Sequence, residues 1–196
     1  MYQPAHFRED RLEVQHALIR AHPFGLLVTS GAVGLDVNPV PFLLDAEATP
    51  LGLLRAHVAR ANPVWRELAD SPEVLVVFQA VDSYVMPSWY LSKREHGKVV
   101  PTWNYAVVQV RGKARAIEDA PAPFIASQVE AIVGIEIAIA RIEGKWKASQ
   151  NRPPADREGV VAGLEDQGDD ASRAMAELVR ERAQPSIGSS AANPSR

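Results

Sequence analysis

Three short runs of this sequence gather the side chains best able to hold another molecule. In HVARANP (57–63) Arg60 and Asn62 stand among small residues, Ala59 and Ala61, with His57 at the head of the run, at the end of a β-rich stretch and just before one of helical character. Free backbone N–H groups, a helix dipole and a guanidinium would converge there, which is the chemistry a phosphate needs. The plainer alternative is that Arg60 pairs with an acidic surface group and Asn62 only caps the helix. WYLSKREHGKVVPTWNY (89–105) brings Trp89, Tyr90, Trp103 and Tyr105 together with Lys93, Arg94, Lys98, Thr102 and Asn104. Aromatic faces can wall a planar ring system while cations and amides donate to its carbonyls. The same aromatics serve equally well as core, with the cations as a solvated loop. GKWKASQNR (144–152) sets Lys145, Lys147 and Arg152 beside Ser149, Gln150 and Asn151, more donors than a surface loop needs; a solvated basic patch or a nucleic-acid contact is the competing reading.

Other chemistries find no support. There is no G-x-S-x-G elbow, no G-x-G-x-x-G turn and no G-x-x-x-x-G-K-[ST] loop, so a nucleophile elbow, a Rossmann dinucleotide site and a P-loop are not indicated. The five histidines form no close ligand pair, and His57 and His96 are lone acid–base candidates; a tightly bound metal is not expected. The chain has no cysteine, which excludes disulfides and thiolate chemistry and accords with a reducing cytoplasm. A formal net charge of -3 gives no overall pull toward nucleic acid or an anionic membrane, and no apolar run approaches the ~20 residues of a membrane helix. The N-terminus lacks the pattern of an export signal, so a soluble cytoplasmic protein is expected.

The elements that would carry these runs can be read from periodicity. A helix is predicted over 9–21, ended by Pro23, then strands over 23–30 and 35–44 as a hairpin whose second strand, with its prolines, suits an edge. A third strand falls in 49–59, a short helix in 61–70 and a buried strand over 73–79. Strands over 105–118 and 134–143 follow, with a helix over 121–133 between them and a polar segment over 144–160 after them. Six or so strands without βα alternation predict a mainly β protein with peripheral helices, an antiparallel barrel. The expected organisation is one domain over 1–165, an acidic linker and helix over 166–184, and a disordered tail over 185–196.

Read together, MYQPAHF, PFGLLVT, PFLLD, HVARANPVW, MPSWYLSKREHGKVVPTWNY, AIVGIEI and IEGKWKASQNR, in that order, resemble the PaiB family of FMN-binding negative transcriptional regulators, over residues 1 to about 165. The resemblance implies an FMN-binding split β-barrel related to pyridoxamine-phosphate-oxidase-like proteins, a homodimer with flavin grooves shared by the two chains. It implies phosphate and ribityl contacts from His57, Arg60 and Asn62, and ring contacts from Lys93, Thr102, Trp103 and Asn104. Lys147, Gln150, Asn151 and Arg152 would reach the site from the partner subunit. Two departures stand out: a helical insertion carried by the family after the position of Glu118 is missing, and Pro39 and Met86 replace a histidine and a serine. These leave three functions open: a flavin-binding regulator, with DNA binding unsupported by charge or by a helix-turn-helix; a flavin-dependent oxidoreductase or flavin reductase; and a cofactor-free structural dimer.

Overall fold

The computed structural model describes residues 1–31, 34–118 and 131–183, without the side chain of His96. It is dominated by one antiparallel sheet of eight strands. In chain order the elements are β1 (Arg8–Glu9), α1 (Leu12–Ala21), β2 (Phe24–Gly31), β3 (Gly34–Pro41), β4 (Leu43–Asp45), β5 (Leu53–Ala59), α2 (Val64–Asp70), β6 (Glu73–Val85), α3 (Ser92–His96), β7 (Thr102–Ile117), β8 (Ile132–Lys147), α4 (Pro154–Gln167) and α5 (Asp170–Ala183). The sheet runs β3-β2-β6-β7-β8-β5-β4, with β1 added beside β8. β3 is therefore a terminal strand, as its prolines foretold.

The chain separates into two compact units. The first comprises Met1–Ala80 and Ala106–Trp146, the second Val81–Tyr105 and Lys147–Arg196. The division runs through the long strands β6, β7 and β8.

In the first unit strict alternation decides which side chains are buried. Ile135, Ile137 and Ile139 on β8, Val74, Val76 and Phe78 on β6, and Val108 and Val110 on β7 all point inward and are buried. Phe42 meets Phe78 edge to face, ring centres 5.5 Å apart. α1 begins three residues later than its periodicity suggested, and its buried face is partly polar: Gln15, His16, Leu18 and Ile19. These polar groups are tolerated because the backbone satisfies them, Gln15 Nε2 donating to the Glu9 carbonyl at 2.6 Å and the His16 ring lying 3.0 Å from the Leu51 carbonyl.

The second unit is built around a helical hairpin. α4 and α5 are joined by Gly168, whose φ of 74° is the left-handed value that glycine adopts without penalty, and Asp169, which receives the Ser172 N–H at 2.9 Å. Asp169 also accepts from the Ser172 hydroxyl, and these bonds hold its carboxyl below the usual carboxylate range. Val85, Tyr90, Ala148, Val160, Leu164, Met175, Ala176 and Val179 form its core. α4 begins inside the segment expected to be polar, 144–160, and takes up its last seven residues. Of the helix expected over 121–133, residues 121–130 lie outside the described residues and Ile132 and Val133 belong to β8; the tail 185–196 also lies outside them.

Candidate functional site

The eleven sequence-selected residues divide between the units. His57, Arg60 and Asn62 lie in the first; Lys93, Thr102, Trp103, Asn104, Lys147, Gln150, Asn151 and Arg152 lie in the second.

In the first unit, β5 presents His57 opposite Gly134 of β8, where no side chain competes for space. His57 is exposed and borders a shallow depression shared with Pro41, Leu43 and Arg55. The backbone N–H of Arg60 donates to the Ala131 carbonyl at 2.8 Å, its guanidinium donates to the Ile132 carbonyl at 3.1 Å, and the guanidinium stands 3.8 Å from Glu118. Asn62 receives the Val64 N–H on Oδ1 at 3.0 Å and donates through Nδ2 to Asn38 at 2.8 Å, while Trp65 Nε1 donates to the Arg60 carbonyl. The helix-start argument for a phosphate weakens here. α2 has only seven residues, so its dipole is small, and Asn62 already takes the N–H of its first residue. Arg60 is half-exposed and His57 exposed at this end of β5.

The second unit bonds three of its candidates to one another and holds others through neighbouring residues. Lys147 Nζ donates both to Thr102 Oγ1 and to the Trp103 carbonyl. One turn of sequence further, Asn104 Nδ2 donates to Ser149 Oγ at 2.9 Å, both side chains being buried. Ser149 holds φ at 60°, a left-handed conformation that costs a non-glycine residue on the order of 1 kcal/mol, and Gln150 Oε1 closes the turn by accepting the Ala148 N–H at 2.7 Å. Asn151 is exposed in the same turn. Arg152 lies over the ring of Tyr90, 4.5 Å from its centre; burial pushes the Tyr90 hydroxyl above its ordinary pKa, with the Arg152 charge acting against the shift. Lys93 is exposed on α3. Beside this group Trp103, 52 % exposed, packs edge to face with Tyr84, 39 % exposed, at 6.0 Å.

The aromatics thus split in function. Tyr90 is core and Trp89 packs against that core, whereas Trp103 offers an accessible face. Lys147, expected from a partner subunit, is bonded to Thr102 and Trp103 of its own chain. Sequence reading missed Tyr84, Ser92 and Asp156. Tyr84 was hidden because β6 runs six residues beyond its apolar stretch. Asp156 was hidden because its helix was not recognised.

Among the described residues no group of histidines, cysteines and carboxylates could hold a metal, and no helix is long and apolar enough to cross a membrane. A basic amine and a threonine hydroxyl beside an accessible indole are a donor set that fits a planar, carbonyl-rich ring. The eight-stranded antiparallel sheet and its helices define a mainly β protein of the split-barrel class. The chain belongs to the FMN-binding family of PaiB-type proteins: residues 1–121 match the family model described as "Putative FMN-binding domain". The chain is 33% identical over 246 residues to an uncharacterized protein of Emericella nidulans, covering 93% of this chain and 97% of that one. It is 28% identical over 221 residues to protease synthase and sporulation protein PAI 2 of Bacillus subtilis, covering 95% and 100%. Both alignments are longer than the 196 residues of this chain, so both relatives carry residues that it lacks. Among solved structures, the flavocytochrome Anf3 from Azotobacter vinelandii superimposes with a TM-score of 0.56 at 16% identity, over 71% of this chain and 69% of that one.

Proposed function

We propose that this protein binds FMN and exerts a regulatory role of the PaiB type in the cytoplasm through flavin occupancy rather than through direct contact with DNA. The observation that carries the flavin reading is the Lys147 amine bonded to both Thr102 and Trp103 beside the accessible Trp103–Tyr84 pair. An indole face packs on a flat conjugated ring, and an ammonium group favours the electron-rich carbonyl edge of that ring. Asn104 and Ser149 fix the strand beneath, and Lys93, Gln150, Asn151 and Arg152 supply further donors in the same unit. His57, Arg60 and Asn62 of the first unit are proposed separately, as a phosphate and ribityl group. When bound, FMN supplies electron transfer; the protein's part is to bind, orient and shield it.

The charge pattern supports the indirect mode of regulation. α5 carries Asp170, Glu177 and Glu181 against Arg173, Arg180 and Arg182, so it has no net basic face to offer a phosphate backbone. A homodimer is proposed from the outer face of the β2–β3 hairpin. Phe24, Leu26, Leu35 and Val37 are 66, 45, 78 and 50 % exposed, and the register sets Leu26 against Pro39 and Val28 against Val37 on that same face. A contiguous apolar face of this kind is best covered by a second copy.

The exposure of Trp103 favours a second reading, a flavin-dependent oxidoreductase whose ring remains open to a small substrate; NAD(P)H consumption by the FMN-loaded protein would support it. The main reading is tested by titrating desalted protein with FMN, following flavin fluorescence, and repeating with Lys147→Ala and Arg60→Ala. Saturable quenching weakened about tenfold or more by either change supports it, the loss expected when a charge-assisted bond is removed. An absence of binding by the natural sequence overturns it in favour of a cofactor-free dimer.

A further inference from the structure

Within the second unit, α4 meets the 86–101 segment along a single face. Asp156, Gly159 and Gly163 recur at i, i+3 and i+7, so they lie one above another on the helix. Asp156 is 1 % exposed; its carboxylate receives the Ser92 N–H at 2.9 Å and the Ser92 hydroxyl at 2.7 Å, at the start of α3. At Gly159 a methyl group would overlap the Trp89 carbonyl, and at Gly163 it would overlap the Trp89 indole. Glycine inside a helix is disfavoured relative to alanine, so the notch that the two make for Trp89 is maintained against propensity.

A buried carboxylate is likewise a costly anchor, since desolvation opposes its charge, but its bonds are shorter and stronger than neutral ones. Lys93 follows Ser92 directly, and its N–H donates to the Tyr90 carbonyl. The anchored stretch Trp89–Ser92 therefore sets where α3 and Lys93 stand. The chain that leads into α4 carries Lys147, Ser149 and Arg152: Lys147 bonds Thr102 and Trp103 and Ser149 bonds Asn104, all at the start of β7, and Arg152 lies over Tyr90.

From this geometry we infer that Asp156 is a positioning residue: through Ser92, and together with the Trp89 notch, it holds the α3 segment in the arrangement that ring binding requires. The inference rests on the flavin reading above and adds a residue that touches no ligand.

The test uses the full chain and two independent readouts. Hydrogen exchange at the amides of 92–97 needs no flavin; FMN affinity reports the site. Asp156→Ala is expected to speed exchange there about tenfold and to weaken FMN about tenfold, the scale of a lost buried charge-assisted bond. Asp156→Asn keeps an acceptor for the Ser92 N–H and is expected to stay within about threefold of the natural protein in both. If Asp156→Ala does not fold, Ser92→Ala removes one of the two bonds with α4 intact and should shift both readouts in the same direction. Unchanged exchange, or faster exchange with unchanged FMN affinity, overturns the inference. A natural protein that binds no FMN overturns the flavin reading and the positioning role with it. The exchange measurement then separates that failure from failure of the anchor itself.

Discussion

The two units solve the problem of holding polar side chains in opposite ways. In the first, His57, Arg60 and Asn62 sit at the end of one strand of a sheet whose order comes from buried β-branched side chains, and they bond mainly to backbone carbonyls, a neighbouring amide and one carboxylate. In the second, Lys147 is bonded to Thr102 and Trp103, and Asn104 and Arg152 contact Ser149 and Tyr90, so side chains of the segment hold one another. The end of a strand lends its residues to a site at little structural cost. A loop made of the site residues themselves stands or falls with them.

The largest expected effect tests whether the units are separable in stability. Leu164 is fully buried in the hairpin core, so Leu164→Ala should cost about 2–5 kcal/mol. Hydrogen exchange should then place the loss of protection in 81–105 and 147–183, with the amides of Val76 and Val108 still slow. Equal loss in both regions would break the distinction. Next in size is Asn104→Ala, which strips the buried Ser149 hydroxyl of its partner and should cost about 1–3 kcal/mol in chemical denaturation. In the first unit the matching change, Asn62→Ala, removes a helix-start acceptor and should cost about 1 kcal/mol by the same measurement. A loss at Asn62 as large as that at Asn104 would show the sheet-borne group to be as self-dependent as the loop.

The smallest effect concerns pH. Arg55 donates to Asp45 and Glu136, and Arg115 also donates to Glu136; hydrogen bonds to Arg55 are the main reason both carboxyls lie below the usual carboxylate range. A carboxyl whose folded pKa is depressed adds stability above its unfolded value, near 4, and loses it as pH falls through the folded value. Arg55→Ala should therefore raise the Asp45 and Glu136 titration midpoints, read by carbon NMR, and slightly flatten the acid side of the stability profile. Because the groups are solvent-exposed the change in stability should be small. No movement of the midpoints would show the contacts to be without thermodynamic weight.

The sheet was legible because burial on one face leaves a period-two trace: Ile135, Ile137 and Ile139 alternate with Glu136, Ala138 and Ala140, and the structure buries the three isoleucines. The strands ran longer than their apolar stretches because the outer residues pair through backbone, which leaves no compositional mark. α4 was illegible for a different reason. Pro153, Pro154, Gly159 and Gly163 are poor helix formers, yet the prolines start the helix and the glycines are its contact surface. A face recognised by missing side chains has no hydrophobic stripe to detect. The residue types of the candidate site could be selected from sequence, but not their partners: nothing in a linear reading joins Asn104 to Ser149 or Ser92 to Asp156, 45 and 64 residues apart.

The ends of the sheet bear on how the protein behaves at high concentration. β3 closes one end with Pro39 and Pro41, two residues that have no N–H to donate, and β4 closes the other with a strand only three residues long. Among the described residues neither margin offers a long row of unpaired donors and acceptors on which an extended chain could template itself, the step from which fibrils grow. The apolar hairpin can thus stay uncovered for a time during synthesis with less danger than its composition suggests, because other molecules can meet it face to face but are hindered from continuing its ladder.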